Sequence, residues 1–225
     1  MASFEDTMKV YTPKINEWEG GSQYYNQERD TWTAYDDEIG GNKPTLAAGV
    51  TGQVGGQDIQ IGQEYPSEVV NQEMGTRMRG DYDWLSGQLG DSFNNLNPNQ
   101  QSSVMSLVHN VGRTGFGQSN AFKNLQSGDL EGFAYEAFDP EVGFVRSGEI
   151  DPETGRKKVI EGLQNRRRYE NELFSTPYGD EGVINNVVSE QGADAFTQPQ
   201  QASNSFGSNF GTGKGKIANF FKGFL

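Results

Sequence analysis

Cysteine is absent from the 225 residues, and histidine occurs once, as His109. The first absence excludes disulfides, thiolate nucleophiles and cysteine-ligated metal clusters. The second leaves too few imidazoles for the zinc sites of amidases and peptidases. A serine triad would have to recruit His109, and no Gly-x-Ser-x-Gly turn exists to present its nucleophile. Glycine-rich phosphate cradles are missing too. No run approaches the ~20 apolar residues that span a bilayer. The opening Met1-Ala2-Ser3-Phe4-Glu5-Asp6 lacks the basic and apolar regions of a secretory signal, so a secretory route is not expected. Acid–base work is left to carboxylates, and no metal or cofactor is expected.

What is present is mostly acidic. The formal net charge is −13 and is spread along the chain, which argues against nucleic acid as a partner. Basic residues gather only in Arg156-Lys157-Lys158 and Arg166-Arg167-Arg168. Hydrophobic residues make up 33% and aromatic residues 12%, enough for the core of one compact domain with an appendage.

Residues 1–12 read as a short leader. From Pro13 to Gly62 the chain is rich in glycine, threonine and aromatics, with turn signals at Gly40-Gly41-Asn42 and Gly55-Gly56. This pattern predicts a short helix around Pro13–Trp18 and then a small, loop-rich β region. Helical patterns follow. Pro66-Ser67-Glu68 opens a segment with Val70, Met74 and Met78 at four-residue spacing. Asn97-Pro98 combines an N-cap with proline at the first helical position. Val104, Leu107, Val108 and Val111 then keep helical spacing up to Gly112. Further short helices are expected over Ser119–Gln126, from Asp129 to Phe138, and over Gly162–Phe174, all in one packed lobe. Residues 176–225 are dominated by Gly, Ser, Asn, Gln and Ala, a low-complexity tail that cannot bury a core alone. Its end, about 214–225, places Ile217, Phe220, Phe221, Phe224 and Leu225 on one face of an amphipathic helix.

Four separated blocks carry a resemblance. They are Ile15-Asn16-Glu17-Trp18-Glu19-Gly20; Tyr35-x-Asp37-x-x-Gly40 with Thr45-x-x-x-Gly49-x-Thr51; Val104–Gly112 with Thr114-Gly115-Phe116-Gly117-Gln118-Ser119; and Gly162-Leu163-x-x-Arg166-Arg167-x-x-Glu170. In this order they resemble the phage-type lysozymes, glycoside hydrolase family 24, over about Pro13–Phe174. The resemblance implies an α+β lysozyme-like fold: a small β-containing N-terminal lobe, a larger helical lobe and a cleft between them, here with the low-complexity C-terminal extension. It also implies hydrolysis of the β-1,4 bond between N-acetylmuramic acid and N-acetylglucosamine.

The chemistry agrees. Glycoside hydrolysis needs one protonated carboxyl for the leaving oxygen and a second group for the oxocarbenium-like centre or the incoming water. Glu19 follows an apolar helix where partial burial would keep it protonated. Asp37, in a polar turn beside Asp36 and Glu38, would supply the charged partner. The resemblance implies that Thr45 helps hold the attacking water, as in an inverting mechanism. It places His109, Asn110 and Ser119 at the substrate and Arg166 or Arg167 beside the catalytic glutamate. Structural roles compete at each position. Glu17 would face another side of the helix, Glu28 lacks the Glu-Gly context, and Asp36 neighbours Asp37. Thr45 could be an ordinary strand residue, His109 a satisfied structural histidine, and Ser119 a helix cap. The arginines could form a solvated face, and Trp18, Trp32 and Trp84 could stack on sugar rings, with core packing as the default for each.

This chain departs from the family pattern in spacing. Glu19 and Asp37 are about twice as far apart as usual, with Gly21–Thr33 as an insertion. Gly40 to Thr45 is longer, Ala47 replaces the first strand glycine, and Val50 replaces a histidine. The acidic balance and the tail favour a lysozyme carried in the phage virion, with the tail docked on a virion protein rather than on a membrane. The alternatives are a free endolysin, made in the host cytoplasm and acting in the periplasm, and a lysozyme-fold structural or wall-binding protein with little activity.

Overall fold

Ser3 starts the first helix: its hydroxyl accepts from the Asp6 N–H at 3.1 Å and donates to the Asp6 carboxylate at 2.9 Å, a reciprocal cap. Helix α1 therefore runs Phe4–Trp18, and most of the stretch expected as a leader is helical. Pro13 lies inside α1 rather than at its start. The computed structural model describes residues 2–18, 21–37, 43–47 and 49–179. Glu19, Gly40 and the amphipathic end of the tail lie outside them.

The chain divides into two compact units. One gathers α1 with the chain from Arg79 onward, and the other is the intervening stretch ending at Met78. The intervening unit is built from short antiparallel strands. A 3-10 turn, Gly21–Tyr24, leads to β1 (Tyr25–Asn26), β2 (Thr31–Thr33) and β3 (Tyr35–Asp37). Then come β4 (Lys43–Leu46), β5 (Val50–Thr51), β6 (Gln53–Val54), β7 (Gln57–Asp58) and β8 (Glu64–Pro66). One sheet has the order β1-β2-β8, a second β3-β4-β5, and β6 pairs with β7. The insertion between Glu19 and Asp37 is thus a β-hairpin built into its own sheet. Asp30, at its turn with φ 51°, fastens it: one carboxylate oxygen accepts from Tyr25 Oη and from Ser67 Oγ, each at 2.6 Å.

Helix α2 (Ser67–Leu89) begins in this unit. Val70, Met74 and Met78, spaced as expected, are buried with Leu46 and Val50 among the apolar residues of the unit. Its second half belongs to the other unit, with α3 (Asp91–Asn94), α4 (Pro98–Gly117), α5 (Asn120–Ser127) and α6 (Leu130–Phe138). There follow a hairpin of β9 (Arg146–Ile150) and β10 (Lys157–Val159), and α7 (Glu161–Ser175). Asn97, Ser119 and Asp129 cap α4, α5 and α6 through their side chains, and Gly128 closes α5 in the left-handed conformation.

Helix α4 differs from expectation at its end. It continues to Gly117 across a break at Gly112, whose φ and ψ are 78° and 153°. Only glycine adopts that region without strain. It is also buried on its polar side. Asn99, Gln101, Ser102, Ser103 and Ser106 are no more than 2% exposed. Each is hydrogen-bonded: Ser102 Oγ donates to Thr7 O of α1, Gln101 Nε2 to Phe93 O, and Asn99 Nδ2 to Thr176 O just past α7. Small hydroxyls let neighbouring helices approach while satisfying buried polar groups. Phe133 holds the rest of this core, meeting Phe116, Phe138 and Phe174 at centroid distances of 6.5, 5.3 and 5.1 Å.

Candidate functional site

In the β3–β4 ladder Tyr35 lies opposite Thr45, Asp36 opposite Pro44 and Asp37 opposite Lys43; Thr45 also faces Thr51 of β5. Side chains alternate between the faces of a strand. Tyr35, Asp37, Lys43, Thr45 and Thr51 therefore share one face, and exposed Asp36 belongs to the other with Leu46 and Val50. Of the two adjacent aspartates, only Asp37 stands on the face of Thr45. Asp37 is half-buried and Thr45 is 1% exposed. Thr45 Oγ1 donates to Lys43 O at 2.9 Å, so its proton is committed and its free lone pair can only accept.

Two features of this face were not foreseen. Tyr24, from the 3-10 turn, stacks on Tyr35 with ring centroids 4.1 Å apart and planes 8° from parallel. The insertion thus adds an aromatic plane beside the acid; only the pairing of the hairpin could have revealed it. Ala47, where the resembled pattern has glycine, is buried with φ 44°. The glycine of the pattern answers a left-handed backbone, which here costs about 1 kcal/mol.

Glu28 occupies the exposed hairpin turn, its N–H donating to the Asn26 side chain at 3.1 Å. Glu19 follows directly on the last residue of α1.

In the helical unit, Arg166 and Arg167 converge on Glu170. Arg166 Nε lies 3.2 Å from Glu170 Oε1, and Arg167 Nε lies 3.0 Å from Oε2. The second contact is off-line, an ion pair without hydrogen-bond geometry, and Arg167 Nη1 is buried with no hydrogen-bond partner among the described residues. Ser106 Oγ donates to Glu170, and Arg166 Nη2 to Ser106 O at 3.1 Å. Arg167 and Glu170 are fully buried. Burial pushes the Arg167 guanidinium down to about 10, opposed by the attraction of Glu170 and helped by repulsion from Arg166. Arg167 also donates to Asn110 Oδ1 at 2.9 Å, which ties Asn110 to this network. Glu170 and Ser106 were the residues missed as partners; the spacing from Arg166 to Glu170 is one helical turn, and that signal was readable.

His109 lies beside Tyr11 of α1, ring centroids 6.5 Å apart at 70°. Ser119 is the cap of α5: its hydroxyl donates to Phe116 O at 2.6 Å and accepts from the Phe122 N–H at 3.1 Å. Trp32 is buried in β2, and Trp84 packs on Phe116 and Phe122, so both serve the core.

A helical unit and a unit of small antiparallel sheets make a fold of the lysozyme-like α+β class. Residues 26–170, well over half of the chain, match the phage lysozyme family. The chain belongs to that family, whose members hydrolyse peptidoglycan. The match starts downstream of Glu19, and Asp37, Thr45 and the Arg166–Glu170 cluster all fall within it.

Two solved structures share the fold. The endolysin from Escherichia coli O157:H7 phage FAHEc1 is 21% identical with a TM-score of 0.53, over 78% of this chain and 93% of that one. The muramidase domain of SpmX from Asticaccaulis excentricus is 20% identical with a TM-score of 0.56, over 75% of this chain and 97% of that one. No curated protein sequence matches the chain.

Proposed function

We propose that the protein is an N-acetylmuramidase that cleaves the β-1,4 bond between N-acetylmuramic acid and N-acetylglucosamine with inversion. Glu19 protonates the leaving oxygen as the glycosidic bond breaks, and Asp37, with Thr45, holds the attacking water and takes its proton as the new C–O bond forms. The observation that carries this reading is the shared strand face of Asp37 and Thr45. They are diagonal neighbours in the ladder, about 7 Å apart, which leaves room for one water. Both offer acceptors, so that water donates both of its hydrogens and turns a lone pair towards the sugar. Glu19 is assigned on its Glu-Gly context at the end of α1, and the exposed hairpin position of Glu28 agrees with that choice. His109, Asn110 and Ser119 remain candidate sugar contacts. Arg166 and Arg167, held by Glu170, remain candidate supports for Glu19.

Paired substitutions test the assignment on peptidoglycan. Glu19→Gln and Asp37→Asn each lower the rate by at least ~100-fold with an unchanged unfolding midpoint, whereas Glu28→Gln and Asp36→Asn stay near wild type. Loss of activity in Glu28→Gln and not in Glu19→Gln would overturn it.

The acidic balance and the low-complexity tail support carriage in the virion, with the apolar face of residues 214–225 docked on a virion protein. The fold shared with an endolysin favours the second reading, a free enzyme of host lysis. Blotting purified particles for the protein decides between them.

A further inference from the structure

Among the described residues every arginine but Arg156 has a polar partner for its side chain. Arg29, Arg77, Arg79, Arg113, Arg166 and Arg167 pair with carboxylates. Arg168 donates to Asn165, and Arg146 to the carbonyls of Lys157 and Glu141. Three consecutive cations break the pattern. Arg156, Lys157 and Lys158 are all exposed and make no side-chain hydrogen bond or ion pair within the described residues. Arg156 closes the tip turn of the β9–β10 hairpin, and Lys157 and Lys158 follow on β10 with their side chains on opposite faces, Lys157 lying opposite Ile150.

The hairpin is held firmly at both ends. At its tip the Asp151 carboxylate accepts from the N–H groups of Glu153 and Thr154, the Asp151 N–H donates to Arg156 O, and Gly155 takes φ 66°. At its base Arg146 of β9 donates to Lys157 O of β10 and to Glu141 O before the hairpin, and the Ile160 N–H donates to Val145 O. Beside these cations, of which Lys158 also attracts the Asp151 carboxylate at long range, lie solvent-facing aliphatics: Ile150 is 60% exposed, Val159 37% and Ile160 39%. A protein with net charge −13 approaching an anionic wall is repelled as a whole. Beyond about 8 Å, however, physiological salt screens that repulsion, and local charge decides contact.

We propose that the β9–β10 hairpin is a wall-contact arm that binds the stem peptides of peptidoglycan, with Arg156, Lys157 and Lys158 on their carboxylates and Ile150 and Val159 on their aliphatic parts. This rests on the peptidoglycan reading above. The hairpin also carries Glu149, Asp151 and Glu153. A mixed-charge arm suits peptides that bear both carboxylates and amines.

The test is cold cosedimentation of the full chain with purified sacculi, which reads binding without turnover. The exposed triple variant R156Q/K157Q/K158Q, checked for an unchanged unfolding midpoint, binds intact sacculi about tenfold more weakly at low salt, the effect of losing three surface ion pairs together. The deficit shrinks at high salt and vanishes on sacculi stripped of stem peptides by an amidase. Binding within twofold of wild type on intact sacculi overturns the proposal. So does a deficit that persists on stripped glycan, or an equal one on phosphatidylglycerol vesicles, which would make the arm a lipid contact. If the arm binds as expected while no muramidase product forms, the failure belongs to the catalytic reading and not to the arm.

Discussion

Replacing Glu170 by alanine leaves two guanidiniums facing each other in the helical core. Side-chain exposure is 0% for Glu170 and Arg167 and 8% for Arg166, so water cannot take over the lost role. Removing one partner of such a buried cluster costs about 3–5 kcal/mol, against a total stability of about 5–15 kcal/mol for a domain of ordinary size. With a urea slope of about 2 kcal/mol per molar, the midpoint falls by roughly 2 M. Urea unfolding followed by far-UV circular dichroism measures this. A control separates burial of charge from loss of shape. The triple variant R166M/R167L/E170L removes all three charges and recovers most of the stability, because well-packed apolar groups replace buried ion pairs at little cost. Glu170→Ala with a midpoint shift below about 0.5 M would refute the reasoning and mean that the cluster is solvated.

Two further expectations concern the backbone. Gly112→Ala meets no atom within 4 Å, so its cost is conformational, about 1–3 kcal/mol in unfolding free energy; a neutral result would mean that α4 is not broken there. Asp30→Asn weakens the insertion hairpin by about 1 kcal/mol at neutral pH. The Ser67 and Tyr25 hydroxyls hold the Asp30 carboxyl below its ordinary 3.8. Its contribution is therefore complete above pH 3.8 and lost as pH falls through the lower folded value, and the variant lacks that acid dependence. The same bond, with burial, raises Tyr25 to about 12. This stabilisation is present below pH 10 and disappears as pH rises through 12; in Asp30→Asn one tyrosine should titrate nearer 10 by tyrosinate absorbance.

Capped helices were the most legible parts of the chain. Asn97-Pro98, Ser119 and Asp129 announce α4, α5 and α6 because a side-chain oxygen before an apolar run has few other uses. Helix α1 was misplaced because Pro13 reads as a start, whereas Ser3 and Asp6 cap the helix earlier. The burial of the polar side of α4 was not legible, because it depends on bonds such as that of Ser102 to Thr7 of α1, a partner distant in sequence. At the site, the motif spacing pointed to Asp37 and Thr45, but only strand register puts them on one face and Asp36 on the other. The doubled spacing before Asp37 has a physical explanation in the hairpin pinned by Asp30, which leaves β3 and β4 paired.

Analysis of the fragments released from purified sacculi tests the central claim most directly. Mass spectrometry of products made by the wild-type chain should show reducing N-acetylmuramic acid ends, absent when Glu19→Gln is used at the same concentration. Anhydro-muramic ends, reducing N-acetylglucosamine ends, or the same products from Glu19→Gln would contradict the account.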